Sequence, residues 1–234
     1  MGEAGAGQHV VAPHLVAPHL VARGHGARRE IAMPAKAGEM LFHEGDACER
    51  VFELRRGIVR GVSMSYEGDR QVTAFFFAGD QIGLPLSDCY RFTAEAVTDV
   101  LYVCQSRLNW HEALIRSCRD DGRLLPSICA EQSPTFRRGM IVGRNGIVAR
   151  LSAFLLSIVD RLPEAGAGAR RLPLPQTDIA AYLATSPESV CRAFRHLREQ
   201  GVIATPRRDL IVVDRARLEA IAGGIARPHP ASPD

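Results

Sequence analysis

Pro187-Glu188-Ser189-Val190-Cys191-Arg192-Ala193-Phe194-Arg195-His196-Leu197-Arg198-Glu199 decides how this chain is read. Ser186 precedes it as a helix N-cap, and Pro187 suits the first helical position, where a missing N–H costs nothing. Val190, Phe194 and Leu197 recur at i, i+4, i+7 and predict one apolar stripe. Glu188, Cys191 or Arg192, and Arg195 recur at similar spacing on a different face. A stripe to bury and a short polar row to present suit a helix that lies in the major groove of DNA. Arginine can donate a bidentate pair to guanine O6 and N7, and a carboxylate can accept from cytosine N4. Between Glu188 and Arg208 five arginines (192, 195, 198, 207 and 208) stand against two glutamates, so the local charge is positive. An amphipathic helix with a merely solvated charged face would share the periodicity. The neighbouring sequence separates the two readings.

Upstream, Gln176-Thr177-Asp178-Ile179-Ala180-Ala181-Tyr182-Leu183 reads as a shorter amphipathic helix, and Ala184-Thr185-Ser186 as the turn of a helix-turn-helix. Downstream, Val202-Ile203-Ala204-Thr205 and Leu210-Ile211-Val212-Val213 flank Pro206-Arg207-Arg208-Asp209. That pattern predicts a hairpin wing whose basic tip rests on phosphates. The expected DNA-contacting residues are Thr177, Glu188, Ser189, Cys191, Arg192, Arg195, Arg207 and Arg208. Cys191 is also a redox candidate: oxidation to sulfenic or sulfinic acid would place bulk and negative charge against DNA. Otherwise it fills a slot for a small residue.

From Glu39 to Cys104 short apolar runs alternate with turn signals such as Glu44-Gly45-Asp46, Arg56-Gly57, Glu67-Gly68-Asp69 and Ala78-Gly79-Asp80. This spacing predicts a jelly roll. Helical sequence follows from near Ser106, with a break around Ser133-Pro134. Phe136, Met140, Ile147, Leu151, Phe154 and Ile158 then hold a helical period, widened late by Val148, Leu155, Val159 and Leu162. We expect one long dimerisation helix over 134–162, with Phe136, Met140, Gly143, Ile147, Leu151 and Phe154 at the seam and the two glycines allowing close backbone approach. A core helix of a monomer is the competing reading. Pro163 and the Gly-rich residues 164–168 read as a hinge.

The expected architecture is therefore α+β. A flexible N-terminal arm occupies 1–30, and a double-stranded β-helix (jelly roll) sensor-like domain with a helical extension occupies 31–133. The dimerisation helix covers 134–162, a winged helix-turn-helix 169–222, and a flexible tail 223–234.

Asp178-Ile179-Ala180, Glu188 through Arg192, and Gly201-Val202-Ile203 resemble the C-terminal domain of Crp/Fnr-type transcription regulators, in particular the Fnr/FixK branch. The reading motif of that branch runs Glu, two residues, Ser, Arg. Here Glu188, Cys191 and Arg192 stand in those places, and cysteine for serine resembles the FixK subgroup. Phe42-His43-Glu44-Gly45-Asp46 and Phe77-Ala78-Gly79-Asp80-Gln81-Ile82-Gly83 are similar to the cyclic-nucleotide-binding-like sensor of the same family, so the resemblance covers roughly 36–222. It implies a homodimer on a palindromic TTGA-like DNA site, activating low-oxygen respiratory genes through RNA polymerase. It also implies what is missing. Cyclic-AMP-binding members hold the ribose with Gly-Glu and the phosphate with Arg-Ser. Here Leu84 follows Gly83, and Thr93-Ala94 replaces Arg-Ser, so the charge-assisted contacts are lost. Fnr itself holds an iron–sulfur cluster on four cysteines, three of them near the N-terminus. No cysteine precedes Cys48 here, and Cys104 alone cannot hold a cluster, so it reads as a strand or core residue.

Composition fits a soluble globular protein. The chain has 234 residues, 46% hydrophobic and 24% charged, with a net charge of +3, too mild to identify a nucleic-acid partner without the local clustering. No apolar run approaches a membrane span and no signal peptide is read, so a cytoplasmic location is expected. The six cysteines (48, 89, 104, 118, 129 and 191) form no CxxC pair. No metal and no cofactor are expected. The arm histidines (9, 14, 19 and 25) lie in a Val-Ala-Pro-His-Leu repeat that reads as a neutral tail. Two alternatives stand beside the DNA reading. One is a haem- or small-ligand-gated member of the same family. The other is a cupin-like metalloenzyme, disfavoured because His43 is the one histidine between Glu39 and Cys104.

Overall fold

A computed structural model describes residues 31–65, 67–121, 134–166, 168–205 and 209–223. The arm 1–30, residues 122–133 with Cys129, and the tail beyond Gly223 lie outside the described residues. The N-terminal half holds eight strands: β1 (Ala32–Ala35), β2 (Met40–Phe42), β3 (Arg50–Arg56), β4 (Ile58–Met64), β5 (Arg70–Phe77), β6 (Gln81–Ile82), β7 (Thr93–Ala96) and β8 (Val100–Ser106). They form two antiparallel sheets, ordered β1-β8-β3-β6 and β2-β7-β4-β5.

Strand β5 shows why the two halves of the molecule sit together. Successive side chains of a strand point to opposite faces. Phe76 and Ala74 enter the core between the two sheets, in a row with Val59 and Ala96, which pair across the strands. Phe75 and Phe77 point the other way and join a second core that runs into the C-terminal half. The continuous apolar run Val72-Thr73-Ala74-Phe75-Phe76-Phe77 is therefore buried on both faces.

After β8 come α1 (Arg107–Asp121), α2 (134–142), α3 (Ile147–Ile158) with a 3-10 turn (Val159–Arg161), α4 (Gln176–Tyr182), α5 (Pro187–Glu199) and α6 (Arg215–Ala222). The expected single helix over 134–162 is corrected. It breaks at 143–146, where Gly146 takes φ 82 as the N-cap of α3, a left-handed conformation open to glycine at little cost. Gly143 and Gly146 lie in the break between two helices, not inside one continuous helix. Leu151 (0% exposed) and Phe154 (1%) are corrected with it. Both are sealed inside this chain, packed with Val190, Phe194, Leu197 and Leu218, and cannot meet a second copy. Ile147 packs partly against the same core, whereas Phe136 (72%) and Met140 (58%) stay exposed.

The expected hinge is also corrected. Residues 164–166 form β9 (Glu164–Gly166), which pairs with β10 (Ala169–Arg171). β10 then pairs with β12 (Asp209–Val212), and β12 with β11 (Ile203–Ala204). The Gly-rich stretch thus closes a hairpin that extends the wing into a four-stranded sheet.

Candidate nucleic-acid interface

Local signals build α5 as its sequence dictates. The Ser186 hydroxyl accepts from the Ser189 N–H at 3.3 Å, and Pro187 opens the helix. Val190, Ala193, Phe194 and Leu197 are buried against α3, α4 and α6. The opposite flank presents Glu188, Cys191, Arg192 and Arg195 to solvent, with Ser189 half-buried beside them. Thr177 is exposed on the first turn of α4. Arg207 and Arg208 lie outside the described residues.

The polar row is organised. Glu188 sits at the N-terminal turn, where its own backbone N–H first, then the Ser186 hydroxyl and Arg192, hold its carboxyl below the usual range. A carboxylate at the first turn of a helix also sits well with the helix dipole. Arg192 donates to the Ser189 hydroxyl at 3.3 Å. Arg198 donates to Thr205 Oγ1 at 3.0 Å and ties α5 to the wing. A shallow groove of about 360 Å³ runs beside the row between Ile147 and Val148 of α3 and Arg192, Arg195 and His196 of α5. Glu199 and Ser189 also line it.

Asp178, only 2% exposed, is a residue whose role sequence reasoning missed. It lies on the buried side of α4 and pairs with two arginines of the jelly roll: Arg60 of β4, and Arg70 of β5 at 3.0 Å. Glu95 of β7 completes the group, accepting from Arg60 Nε at 3.1 Å with Arg70 at 3.6 Å. Burial opposes charge on Arg60, but the Glu95 and Asp178 carboxylates together raise its pKa above the ordinary value. Around this network Phe75 packs with Phe154 and Tyr182, and Arg161 reaches Asp80 at 2.7 Å while lying over the Phe77 ring. The one available signal was an acid beside Ile179 and Ala180 on the apolar side of α4.

In the jelly roll, Gly83, Leu84, Thr93 and Ala94 are taken up by packing and hydrogen bonding within the domain. Gly83 takes φ 74, and a Cβ there would meet the Tyr90 ring at 2.8 Å. Leu84 and Ala94 are buried, and Thr93 Oγ1 accepts from the Glu44 N–H at 3.0 Å. Phe42 stacks on Tyr90 with ring centroids 3.8 Å apart, and Phe52, Phe76 and Phe92 close round them. Cys104 lies on β8, half-buried, and burial raises its thiol pKa against the pull of Arg50. Cys48 is buried, with its thiol 3.5 Å from the Gly83 carbonyl oxygen, Cys89 and Cys191 are exposed, and none of these four is in a disulfide. Among the described residues no helix is long and apolar enough to cross a membrane.

Comparison with known proteins agrees with this anatomy. Residues 33–117 match the cyclic nucleotide-binding domain family and residues 149–221 the Crp-like helix-turn-helix domain. The second match includes α3, consistent with its packing against α5 and α6. The nitrogen fixation regulation protein FixK of Bradyrhizobium diazoefficiens is 30% identical over 189 residues, covering 80% of this chain and 79% of that protein. The transcriptional activator protein FnrA of Stutzerimonas stutzeri is 28% identical over 197 residues, 82% of this chain and 80% of that one. The solved structure of FixK2 from Bradyrhizobium japonicum superposes with a TM-score of 0.74 at 28% identity, over 82% of this chain and 96% of that one. An exposed polar row on a sealed helix-turn-helix, a jelly roll docked behind it and these relatives lead to one conclusion: the chain belongs to the Crp/Fnr family of DNA-binding transcription regulators, in its FixK-like subgroup, and is not an enzyme.

Proposed function

We propose that two copies of this chain bind a palindromic TTGA-like site on double-stranded DNA, each laying α5 in the major groove of one arm. The half-sites would lie ~34 Å apart, one helical turn. The observation that carries this is the exposed row Glu188, Cys191, Arg192 and Arg195, set opposite a fully buried stripe. In this reading Arg192 donates to guanine, Glu188 accepts from cytosine, and Ser189 and Cys191 fit the floor of the groove. Arg195 and Thr177 hold phosphates, as do Arg207 and Arg208 of the wing. The two copies pair through α2, whose Phe136 and Met140 form an apolar face. Bound in this way, the dimer activates transcription in the cytoplasm through contacts with RNA polymerase. The name of the FnrA relative supports activation, and the TTGA-like site is what the resemblance of Glu188, Cys191 and Arg192 to the motif of the Fnr/FixK branch implies. Cys191, exposed in the reading row, makes the same contact sensitive to oxidation.

A gel-shift panel of single-base variants of the palindrome tests the reading. Arg192→Ala should cost ~1–3 kcal/mol on the intact site and relax preference at one base position. A loss of equal size on every duplex, including random sequence, would remove Arg192 from base reading.

A further inference from the structure

The C-terminus of α4 presents a bonding problem whose solution reaches outside the helix-turn-helix. The last carbonyls of a helix have no intrahelical partner. Here Ile179 O accepts from the Leu183 N–H at 2.9 Å, and Ala180 O from the Thr185 N–H at 3.0 Å. The next three are met by side chains from other helices. Arg138 of α2 donates Nε to Tyr182 O at 2.9 Å and Nη2 to Ala181 O at 3.4 Å. Arg150 of α3 donates Nη1 to Leu183 O at 3.4 Å. The residue that follows, Ala184, has φ 52. A left-handed conformation at a residue other than glycine costs ~1–2 kcal/mol, so the surroundings must impose it. Two residues later Ser186 caps α5, so the direction of this turn sets the direction of the reading helix.

Arg138 is placed to do more than cap. Its guanidinium lies 5.9 Å from the centre of the Tyr182 ring, which packs in turn on Phe75 and Phe154. Burial lowers its pKa, with Tyr182 opposing, as expected for a cation drawn out of water to serve carbonyls. Helix α2 thus has two working faces. Arg138 and Ile141 look into the DNA-reading half, while Phe136 and Met140 look out. We propose that Arg138 is a positioning residue for DNA reading: by holding the C-terminal carbonyls of α4 it couples α2 to the turn that aims α5. Whatever orders α2, including a second copy seated on Phe136 and Met140, is then felt at the reading helix. This rests on the proposal that α5 reads DNA.

The test compares wild type, Arg138→Met and Arg138→Lys by two measurements. The first is amide hydrogen exchange at Leu183 and Thr185, with Leu151–Leu155 as internal reference. The second is affinity for the TTGA palindrome and for a random duplex over a range of salt. In Arg138→Met we expect faster exchange at the two turn amides with unchanged protection at 151–155. Affinity for the palindrome should fall by roughly tenfold or more, since hydrogen bonds from a charged donor are lost. Random-duplex affinity and the salt slope should hold. Arg138→Lys keeps charge and donor and should recover part of both losses; if Arg138→Met fails to fold, the lysine variant carries the comparison with smaller changes. Unchanged exchange overturns the coupling, and so does faster exchange with unchanged palindrome affinity. A salt slope lower by about one overturns it as well, since Arg138 would then be a phosphate contact. If wild type shows no preference for the palindrome, the DNA reading of α5 falls instead, and exchange still decides whether Arg138 ties α2 to the turn.

Discussion

Cys191 stands in solvent one position before Arg192, on a helix whose other flank is closed. A small thiol there leaves room for a base edge; an oxidised one adds a charge that phosphates repel. Titrating DNA binding with peroxide should therefore weaken wild type while leaving Cys191→Ser bound. Equal loss in both would place the oxidation elsewhere, and Cys89, the other exposed thiol among the described residues, would be the first residue to replace. Glu188 contributes differently. Its own backbone N–H, the Ser186 hydroxyl and Arg192 all favour the carboxylate form and hold its pKa below the ordinary value. Cys191 and Glu188 were both placed by sequence because an N-cap and a 3.6-residue period act over one or two turns.

Helix α2 shows where periodicity stops short. Its apolar sequence runs on into α3 in helical phase, yet the chain turns at Gly146, and the two stretches bury against different things. The stripe of α3 faces α5 and α6 of its own chain. That of α2 is left open at Phe136 and Met140. Each such side chain gains ~1.5–3 kcal/mol when buried, and two-fold symmetry would double the gain. The double variant Phe136→Glu with Met140→Glu should sediment as a monomer, keep its circular dichroism, and lose the palindrome while retaining weak binding to random duplex. A dimer that survives both changes would move the seam off this face.

Across the molecule, the jelly roll and the helix-turn-helix half share one apolar core and one ion network, so the pose of α5 depends on both. Asp178→Ala would leave Arg60 and Arg70 with Glu95 alone. Breaking a buried pair costs ~3–5 kcal/mol, and the partial exposure of Arg70 reduces this to about 2–4 kcal/mol. Thermal unfolding should then split into two transitions as the halves separate; one unshifted transition would show that the aromatic contacts suffice without the network. The winged helix-turn-helix, the jelly roll and the exposed polar row of α5 were all legible in the amino-acid order, since caps, glycine turns and strand alternation are signals between near neighbours. The order of residues left open what each buried stripe packs against. Arg138 meets Tyr182 across 44 residues and Arg60 meets Asp178 across 118, and Phe75 turns to one core while Phe76 turns to the other. Pairings at that separation are chosen when whole elements dock, because an apolar stripe states that it will be buried and only the packed chain supplies the partner.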